Sequence, residues 1–340
     1  ELEYARKSIY GELRSRSDLD LIIVLGDLVN EKTDLIQPSE QLLDQTGKPW
    51  FRVNGNHDGR NPVRDTAVTM RHTCFILMNN IRRSRKGGYD GGFSESQKAW
   101  LRRQLEKTPA NDRVVLCTHI PVSQSRGLDS LANILAGREN VLFVSGHTHN
   151  VDRHIVERGT EELVAGASCG TWWRGVKDRD GVPYALMNCG APRGYFVADF
   201  STGRATQRPG SWYRLSYKAV GREDAASARI IDGTLYVNVF GASREGDASL
   251  SVGGKRLKLQ HRYCVAPEAR DVIEANAKTD KEYRRAHKEE FMPLRNLPSP
   301  HIWALDLDPQ TEAYLRQAGD VTLHYRDRNM KLAEKLLISF

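Results

Sequence analysis

The chain has 340 residues, of which 39% are hydrophobic and 27% are charged, and Lys and Arg outnumber Asp and Glu by 50 to 43. This balance excludes disordered and fibrous proteins and leaves room for two domains, since one domain usually takes ~100–200 residues. The basic excess fits a nucleic-acid partner, an anionic small substrate or a solvated surface, and we favour the last because the densest basic run, Arg82–Lys86, lacks interleaved aromatic residues.

After a helical pattern over residues 2–16, short apolar runs alternate with further helical patterns through the first half of the chain. Ser94 and Gln97 have the spacing of a capping box and predict a helix that begins there, and Leu128–Ala136 predicts another. This alternation indicates a layered α/β domain. The predicted strands are Asp20–Leu25, Trp50–Val53, Cys74–Met78, Arg113–Cys117 and Val141–Val144.

The pattern changes after Gln207–Pro209, where short alternating runs such as Thr234–Phe240 and Val321–Tyr325 predict strands. Asp271–Glu290 is the exception, because it is highly charged and predicts a helix. We therefore divide the chain into an α/β domain over residues 1–205 and a small, mostly β, sandwich-like domain over residues 206–340.

Four of the predicted strands in the α/β domain end in polar residues of kinds that bind metal ions. Ligands collect at the carboxyl ends of strands in open α/β sheets, so we expect these residues to lie together. Each motif alone has an ordinary explanation as a turn, a helix cap or a buried histidine. Their order along successive strand ends favours a site for Mn, Fe or Zn. The strand ends are Gly26-Asp27, Gly55-Asn56-His57-Asp58, His119 and Gly146-His147-Thr148-His149.

This order of motifs resembles the calcineurin-like metallophosphoesterase superfamily over residues 21–200. The resemblance implies a four-layer αββα sandwich and a hydrolase that cleaves phosphate mono- or diesters with two divalent metal ions and a bridging hydroxide. The segments Cys169–Gly175, Asp180–Pro183 and Gly190–Tyr195 resemble bacterial members that carry an added C-terminal β domain. Those members are often exported, which implies a periplasmic, envelope-associated or secreted protein.

The resemblance also implies a role for each residue at the strand ends. Asp27 bridges the two metals, Asn56, His119 and His147 complete the second metal site, and His149 binds the first. His57 stabilises the transferring phosphoryl group and protonates the leaving oxygen. We expect Asp58 to accept the other ring N–H of that histidine and raise its pKa.

The sequence departs from the family at its first motif, DxH, which supplies two further ligands to the first metal. His57 is the first histidine in the chain, so one metal site is complete and the other is not. We expect DxH to lie upstream of Glu1. The alternative is a one-metal or catalytically inactive relative that serves as a binding protein.

Trp172 and Trp173 either line the substrate pocket or pack in the core, and Arg174 is a candidate phosphate contact. Cys169 and Cys189 are close enough in sequence to pair if the compartment is oxidising. We expect a small or envelope-derived phosphate ester as substrate, with a nuclease of the same superfamily as the rival reading. Nucleic acid is not the favoured partner, and the sequence has no run of ~20 apolar residues and no signal peptide.

Overall fold

The structure is a computed structural model that describes residues 1–60, 63–200, 212–318 and 320–339. Its first residues form the predicted helical segment, and the capping box at Ser94 is present, with its side chain accepting from the Gln97 N–H. The helices of this half are α1 (Leu2–Ala5), which continues through a π-helical turn (Arg6–Tyr10) into α2 (Gly11–Ser15), then α3 (Ile36–Asp44), α4 (Glu95–Lys107) and α5 (Leu128–Ile134).

The five strands predicted for this half are all present, within a residue or two of their predicted bounds. They are joined by further short strands, most of which lie in loops and hairpins. In chain order the strands are β1 (Ile22–Val24), β2 (Trp50–Arg52), β3 (Thr66–Met70), β4 (Thr73–Leu77), β5 (Ile81–Arg83), β6 (Tyr89–Gly92), β7 (Arg113–Cys117), β8 (Ser125–Arg126), β9 (Val141–Ser145), β10 (Val151–Ile155), β11 (Glu161–Ala165), β12 (Gly194–Asp199) and β13 (Arg214–Ala219).

The largest sheet of this half has six strands in the order β10-β11-β9-β7-β4-β3. Its central strands β11, β9, β7 and β4 run parallel, and β4 and β7 are buried along their whole length, as expected for strands covered on both faces. Strand β1 pairs in parallel with β2, β12 pairs antiparallel with β13, and β5, β6 and β8 form a separate small sheet.

Three apolar cores stack these elements into four layers. Helices α4 and α5 cover one face of the six-stranded sheet, where Leu101 packs near Leu116. The other face packs against the β1–β2 and β12–β13 sheets through residues such as Leu142 and Leu215. The N-terminal helical segment and α3 cover the far side of these small sheets, with Ile9 buried there. The α–β–β–α order confirms the predicted four-layer sandwich.

The C-terminal region is largely β, as predicted, and its strands form one eight-stranded sheet in the order β20-β19-β16-β17-β18-β15-β14-β21. Strand β14 also contacts β20, so the sheet nearly closes on itself. The strands are β14 (Ala226–Ile231), β15 (Thr234–Val239), β16 (Asp247–Val252), β17 (Lys255–His261), β18 (Ile302–Asp306), β19 (Val321–Arg326), β20 (Lys331–Leu336) and β21 (Ile338–Ser339).

Three helices accompany this sheet: α6 (Pro267–Lys278), α7 (Lys281–Ala286) and α8 (Pro309–Gln317). The helix predicted over Asp271–Glu290 is divided into α6 and α7, because the Asp280 side chain accepts the first free N–H groups of α7 and starts a new helix. No helix in the described part of the chain has the length and apolar character needed to cross a membrane.

The predicted domain boundary between residues 205 and 206 lies outside the described residues and stays a prediction. The two regions are joined by a buried ion network. Arg153 on β10 has a side chain that is 1% exposed, and it binds Glu161 at 2.8 Å and Asp327, which follows β19, at 2.6 Å. The guanidinium therefore ties the six-stranded sheet to the C-terminal sheet.

Candidate metal centre

The structure brings together the four predicted ligands of one metal site, each from the end of a different strand. A carboxylate oxygen of Asp27 and ring nitrogens of His119 and His147 lie within 4.8 Å of one another. Nε2 of His119 is 3.2 Å from Asp27 Oδ2, 3.0 Å from Asn56 Oδ1 and 3.1 Å from His147 Nδ1. Side chains that follow β1, β2, β7 and β9 thus converge, although these strands belong to two different sheets.

Two glycines permit this convergence. A Cβ on Gly55 would overlap the Asp27 carboxylate, and a Cβ on Gly26 would overlap the His119 ring and the facing backbone. Glycine is therefore needed beside the ligands at these two positions. Gly146 differs, because a Cβ there would make only ordinary van der Waals contacts.

The protonation states of the cluster suit a cation. Burial opposes the charge of Asp27, but the hydrogen bond and charge of His119 outweigh it, and the pKa of this carboxyl lies below its usual value. Burial, reinforced by the neighbouring His119, lowers the pKa of His147 to about 4. At neutral pH the cluster therefore offers a carboxylate and a neutral imidazole, which are the forms that bind metals.

The orientation of His119 also suits a ligand. Its Nδ1 lies 2.7 Å from the carbonyl oxygen of Leu25 and donates to it, so Nε2 faces the cluster as an acceptor. An Asp carboxylate, an Asn amide oxygen and two imidazoles form a mixed oxygen and nitrogen set that fits Mn, Fe or Zn. The residues present therefore fit a divalent ion.

His149, predicted to bind the other metal, lies beside the cluster rather than within it. Its Nδ1 is 2.8 Å from the Gly170 carbonyl oxygen and 3.0 Å from the Thr171 carbonyl oxygen, so the backbone of this loop fixes the ring through Nδ1. The ring stacks on Trp172 with centroids 6.3 Å apart. His149 and Trp172 line one cavity of about 740 Å³ together with Asp27, His119 and His147.

His57 lies at the same cavity, but its predicted contact with Asp58 is wrong. Both carboxylate oxygens of the buried Asp58 accept backbone N–H groups, from Val29 at 3.1 Å and Gly55 at 2.8 Å, so the carboxylate shapes the loop instead of holding the ring. The carboxylate nearest to His57 Nδ1 is that of Glu31, at 3.6 Å. Within the described residues, this nitrogen has no hydrogen-bond partner.

The three predicted substrate contacts have different surroundings. Trp172 faces the cavity, and its Nε1 donates to Glu1 at 3.2 Å. Trp173 borders the same cavity but is only 9% exposed, with the guanidinium of Arg193 over its ring at 5.5 Å, so most of it packs in the core. Arg174 has a buried Nε without a hydrogen-bond partner among the described residues. Whether any of them contacts substrate stays a prediction.

Several residues near the centre were missed by the sequence analysis. Asn80 is fully buried and follows the end of a predicted strand. A polar residue at a strand end is the pattern by which the other site residues were predicted, so the same pattern was present at Asn80. Arg83 lies in the basic run that we interpreted as part of a solvated surface, and Tyr89 follows that run. Cys169 and Cys189, left open as a pair, are both free thiols.

Comparisons with known proteins agree with this geometry. A family model described as calcineurin-like phosphoesterase matches residues 3–151, and one described as the C terminal of calcineurin-like phosphoesterase matches residues 162–318. The chain belongs to the calcineurin-like phosphoesterase family. Its matched regions include the whole ligand cluster and most of the C-terminal sheet.

The individual proteins to which this chain is similar are distant from it in sequence. A probable glycerophosphodiester phosphodiesterase GpdQ from Arcobacter nitrofigilis is 28% identical over 159 residues, which cover 39% of this chain and 57% of that protein. The chain thus spans little more than half the length of this curated relative. A dimetal phosphatase from Danio rerio is similar at 16% identity and a TM-score of 0.42, covering 48% of this chain and 77% of that one. Zinc-bound Vps29 from Entamoeba histolytica is similar at 12% identity and a TM-score of 0.27, covering 74% of this chain and 87% of that one.

Proposed function

We propose that this protein is a metal-dependent phosphoesterase that hydrolyses a phosphate mono- or diester. The observation that carries the proposal is the convergence of Asp27, Asn56, His119 and His147 from four strand ends, in protonation states that bind a cation. A coordination set assembled at this precision, from glycine-dependent turns, serves no packing purpose. Family membership supports the same chemistry.

Asp27, Asn56, His119 and His147 would hold one divalent ion, and Asp27 and His149 would contribute to a second. Bound there, the ions would supply Lewis acidity to the phosphoryl group and to an attacking water. The protein itself fixes the positions of the ligands, which sets the coordination geometry, and places a proton donor beside the ester. Phosphoryl transfer depends mainly on such positioning and electrostatics.

His57 is the residue that we propose as this donor. Its backbone N–H donates to Asp27 Oδ1 at 2.9 Å, which fixes the residue to the cluster, and its ring faces the cavity. The protonated ring is the form that can stabilise the phosphoryl oxygens and protonate the leaving oxygen. Asp58 acts through the loop that carries His57.

The second metal needs more ligands than the described residues provide. The cavity runs between β1 and β12, and in the described residues each of these strands pairs on one side only. A further strand between them would join the β1–β2 and β12–β13 pairs into one sheet and could carry the DxH motif to the cluster. This arrangement would also remove two open sheet edges.

A small phosphodiester is the substrate class that we favour, because the Arcobacter relative is named as a probable glycerophosphodiester phosphodiesterase. A nuclease and a non-catalytic binding protein remain the rival readings. Localisation of the protein in the periplasm, the envelope or the extracellular medium is likewise a proposal that rests on the family resemblance.

The test is elemental analysis of the purified protein together with hydrolysis of p-nitrophenyl phosphate and bis(p-nitrophenyl) phosphate. We expect bound divalent metal, turnover of at least one ester, and a loss of about 10²–10⁴-fold in His57→Ala, the usual contribution of a general acid. His72→Ala, which removes an exposed histidine paired with Asp112, is the matched control and should keep full activity. Protein without metal and without turnover would refute the proposal.

A further inference from the structure

A basic hairpin lies against the candidate metal centre. Strands β5 and β6 form the hairpin, and β8, which closes the loop after His119, pairs with β6. Its turn has the sequence Ser84-Arg85-Lys86-Gly87-Gly88. The acidic residue of β6, Asp90, is paired with Arg126 at 2.9 Å, so it does not neutralise the rest of the hairpin.

Arg83 at the end of β5 is exposed, but its guanidinium contacts the loop after β2. Its Nη2 donates to the backbone carbonyl of Asn56 at 2.6 Å and to that of Gly59 at 3.2 Å. The guanidinium is thus held against the loop that supplies a metal ligand and the proposed proton donor. No carboxylate pairs with it among the described residues. Its remaining N–H groups are available to an anion.

Tyr89 lies directly across the hairpin from this arginine. The two residues are register partners, so their side chains share one face of the small sheet. The Tyr89 ring meets the His147 ring edge to face, with centroids 5.8 Å apart. The tyrosine is still 42% exposed, so part of its side chain is accessible to a ligand.

The base of the hairpin is fixed to the centre by Asn80. Its Oδ1 accepts the N–H groups of His119 at 3.2 Å and Ile120 at 3.1 Å, and its Nδ2 donates to Ile120 O at 2.8 Å. The hairpin is therefore positioned by three of the loops that carry the ligand cluster. A charged surface loop would have no reason for these inward contacts.

We propose that this hairpin is the substrate-recognition wall of the site. Arg83 donates to an anionic oxygen of the bound phosphate ester, and Tyr89 packs against its organic group. This inference rests on the proposed function for its substrate class. A guanidinium suits the task because its planar donors match the oxygens of a phosphate group.

The experiment compares Arg83→Gln and Arg83→Lys with wild type in three measurements: kcat and KM for bis(p-nitrophenyl) phosphate, metal content, and the Kd of inorganic phosphate by calorimetry with Mn²⁺-loaded protein. Losing one charged hydrogen bond should raise KM and the phosphate Kd about 10- to 100-fold in Arg83→Gln and less in the lysine variant. We expect kcat and metal content to stay within a few-fold of wild type. Arg85→Gln, in the same basic run but in the exposed turn, is the matched control.

The second half of the proposal is tested with Tyr89→Ala and Tyr89→Phe. Losing the ring should raise KM for the aromatic diester about 2- to 10-fold, whereas the phenylalanine variant should behave as wild type because packing needs the ring and not the hydroxyl. The phosphate Kd should not change in either variant, since inorganic phosphate has no organic group.

Two outcomes would overturn the inference. If Arg83→Gln lowers metal content and kcat while the phosphate Kd is unchanged, the guanidinium only supports the loop that carries Asn56. If no measured constant moves in that variant, the hairpin is a solvated surface. Should the wild type turn over no ester, the proposed function fails, but phosphate calorimetry still decides whether Arg83 binds the anion.

Discussion

Replacing Arg153 with methionine tests the buried contact between the six-stranded and C-terminal sheets. The guanidinium side chain is 1% exposed and binds Asp327, itself 2% exposed, at 2.6 Å and Glu161 at 2.8 Å. Methionine keeps an apolar stem but leaves two buried carboxylates without their cation. Removing one partner of a buried ion pair typically costs about 3–5 kcal/mol, so we expect the free energy of unfolding to fall by that amount at neutral pH.

The matched control is Arg244→Met. Arg244 binds Asp152 across the same interface at 3.4 Å, but the two side chains are 42% and 27% exposed. An exposed pair contributes about 0–1 kcal/mol. Urea unfolding of both variants and wild type measures the difference. If Arg153→Met lowers the free energy of unfolding no more than the control does, the claim that the buried pair joins the two regions is refuted.

The same experiment has a pH dependence with a definite sign. Burial raises the pKa of Asp327, but the charge and hydrogen bonds of Arg153 outweigh it, and the pKa lies below the usual 3.8. A carboxyl with a depressed folded pKa contributes stability above 3.8 and loses it as the pH falls through the folded pKa. The Arg153→Met loss should therefore be largest at neutral pH and shrink in acid, where the freed carboxyls become protonated.

Three further predictions concern the centre and its supports. Gly55→Ala should weaken Mn²⁺ binding about 10- to 100-fold in a metal titration, because its Cβ overlaps the Asp27 carboxylate, while Gly146→Ala should bind as wild type; equal affinities would contradict this. Asn80→Ala should lower the free energy of urea unfolding by about 2–3 kcal/mol, because it leaves buried backbone groups unpaired, and a loss under about 0.5 kcal/mol would argue against that role. The carboxylates around His154, Asp152 above all, raise the pKa of this histidine to about 9. Its protonated ring should therefore contribute up to about 3 kcal/mol to the free energy of unfolding. This contribution should be full below pH 6.5 and vanish as the pH rises through about 9. Wild type minus His154→Gln measures that contribution, and a pH-independent difference would rule the mechanism out.

Helices and strands that depend on short sequence patterns were predicted correctly from the sequence. Strands β4 and β7 are continuous apolar runs, and the capping box at Ser94 satisfies its own backbone within one turn. The cluster around Asp27 and His119 was also predictable, because its ligands follow two parallel pairs, β1–β2 and β7–β9, and the carboxyl ends of each pair meet at one edge of its sheet. Both kinds of inference need little knowledge of tertiary structure.

Contacts that depend on how loops fold were not predictable in the same way. Asp58 follows His57 in sequence, yet its oxygens accept the N–H groups of Val29 and Gly55, because buried backbone N–H groups need an acceptor. Glu31 approaches the His57 ring only through the fold of the loop after β1. Arg83 likewise resembles any surface arginine until the hairpin is placed against the centre.

The most direct test of the central claim is turnover of bis(p-nitrophenyl) phosphate by chelator-treated protein before and after Mn²⁺ is restored. Comparing wild type with His119→Ala connects the result to the ligand cluster. We expect no turnover after chelation, recovery in wild type when Mn²⁺ returns, and no recovery in the variant. Turnover that persists through chelation, or that returns equally in His119→Ala, would contradict it.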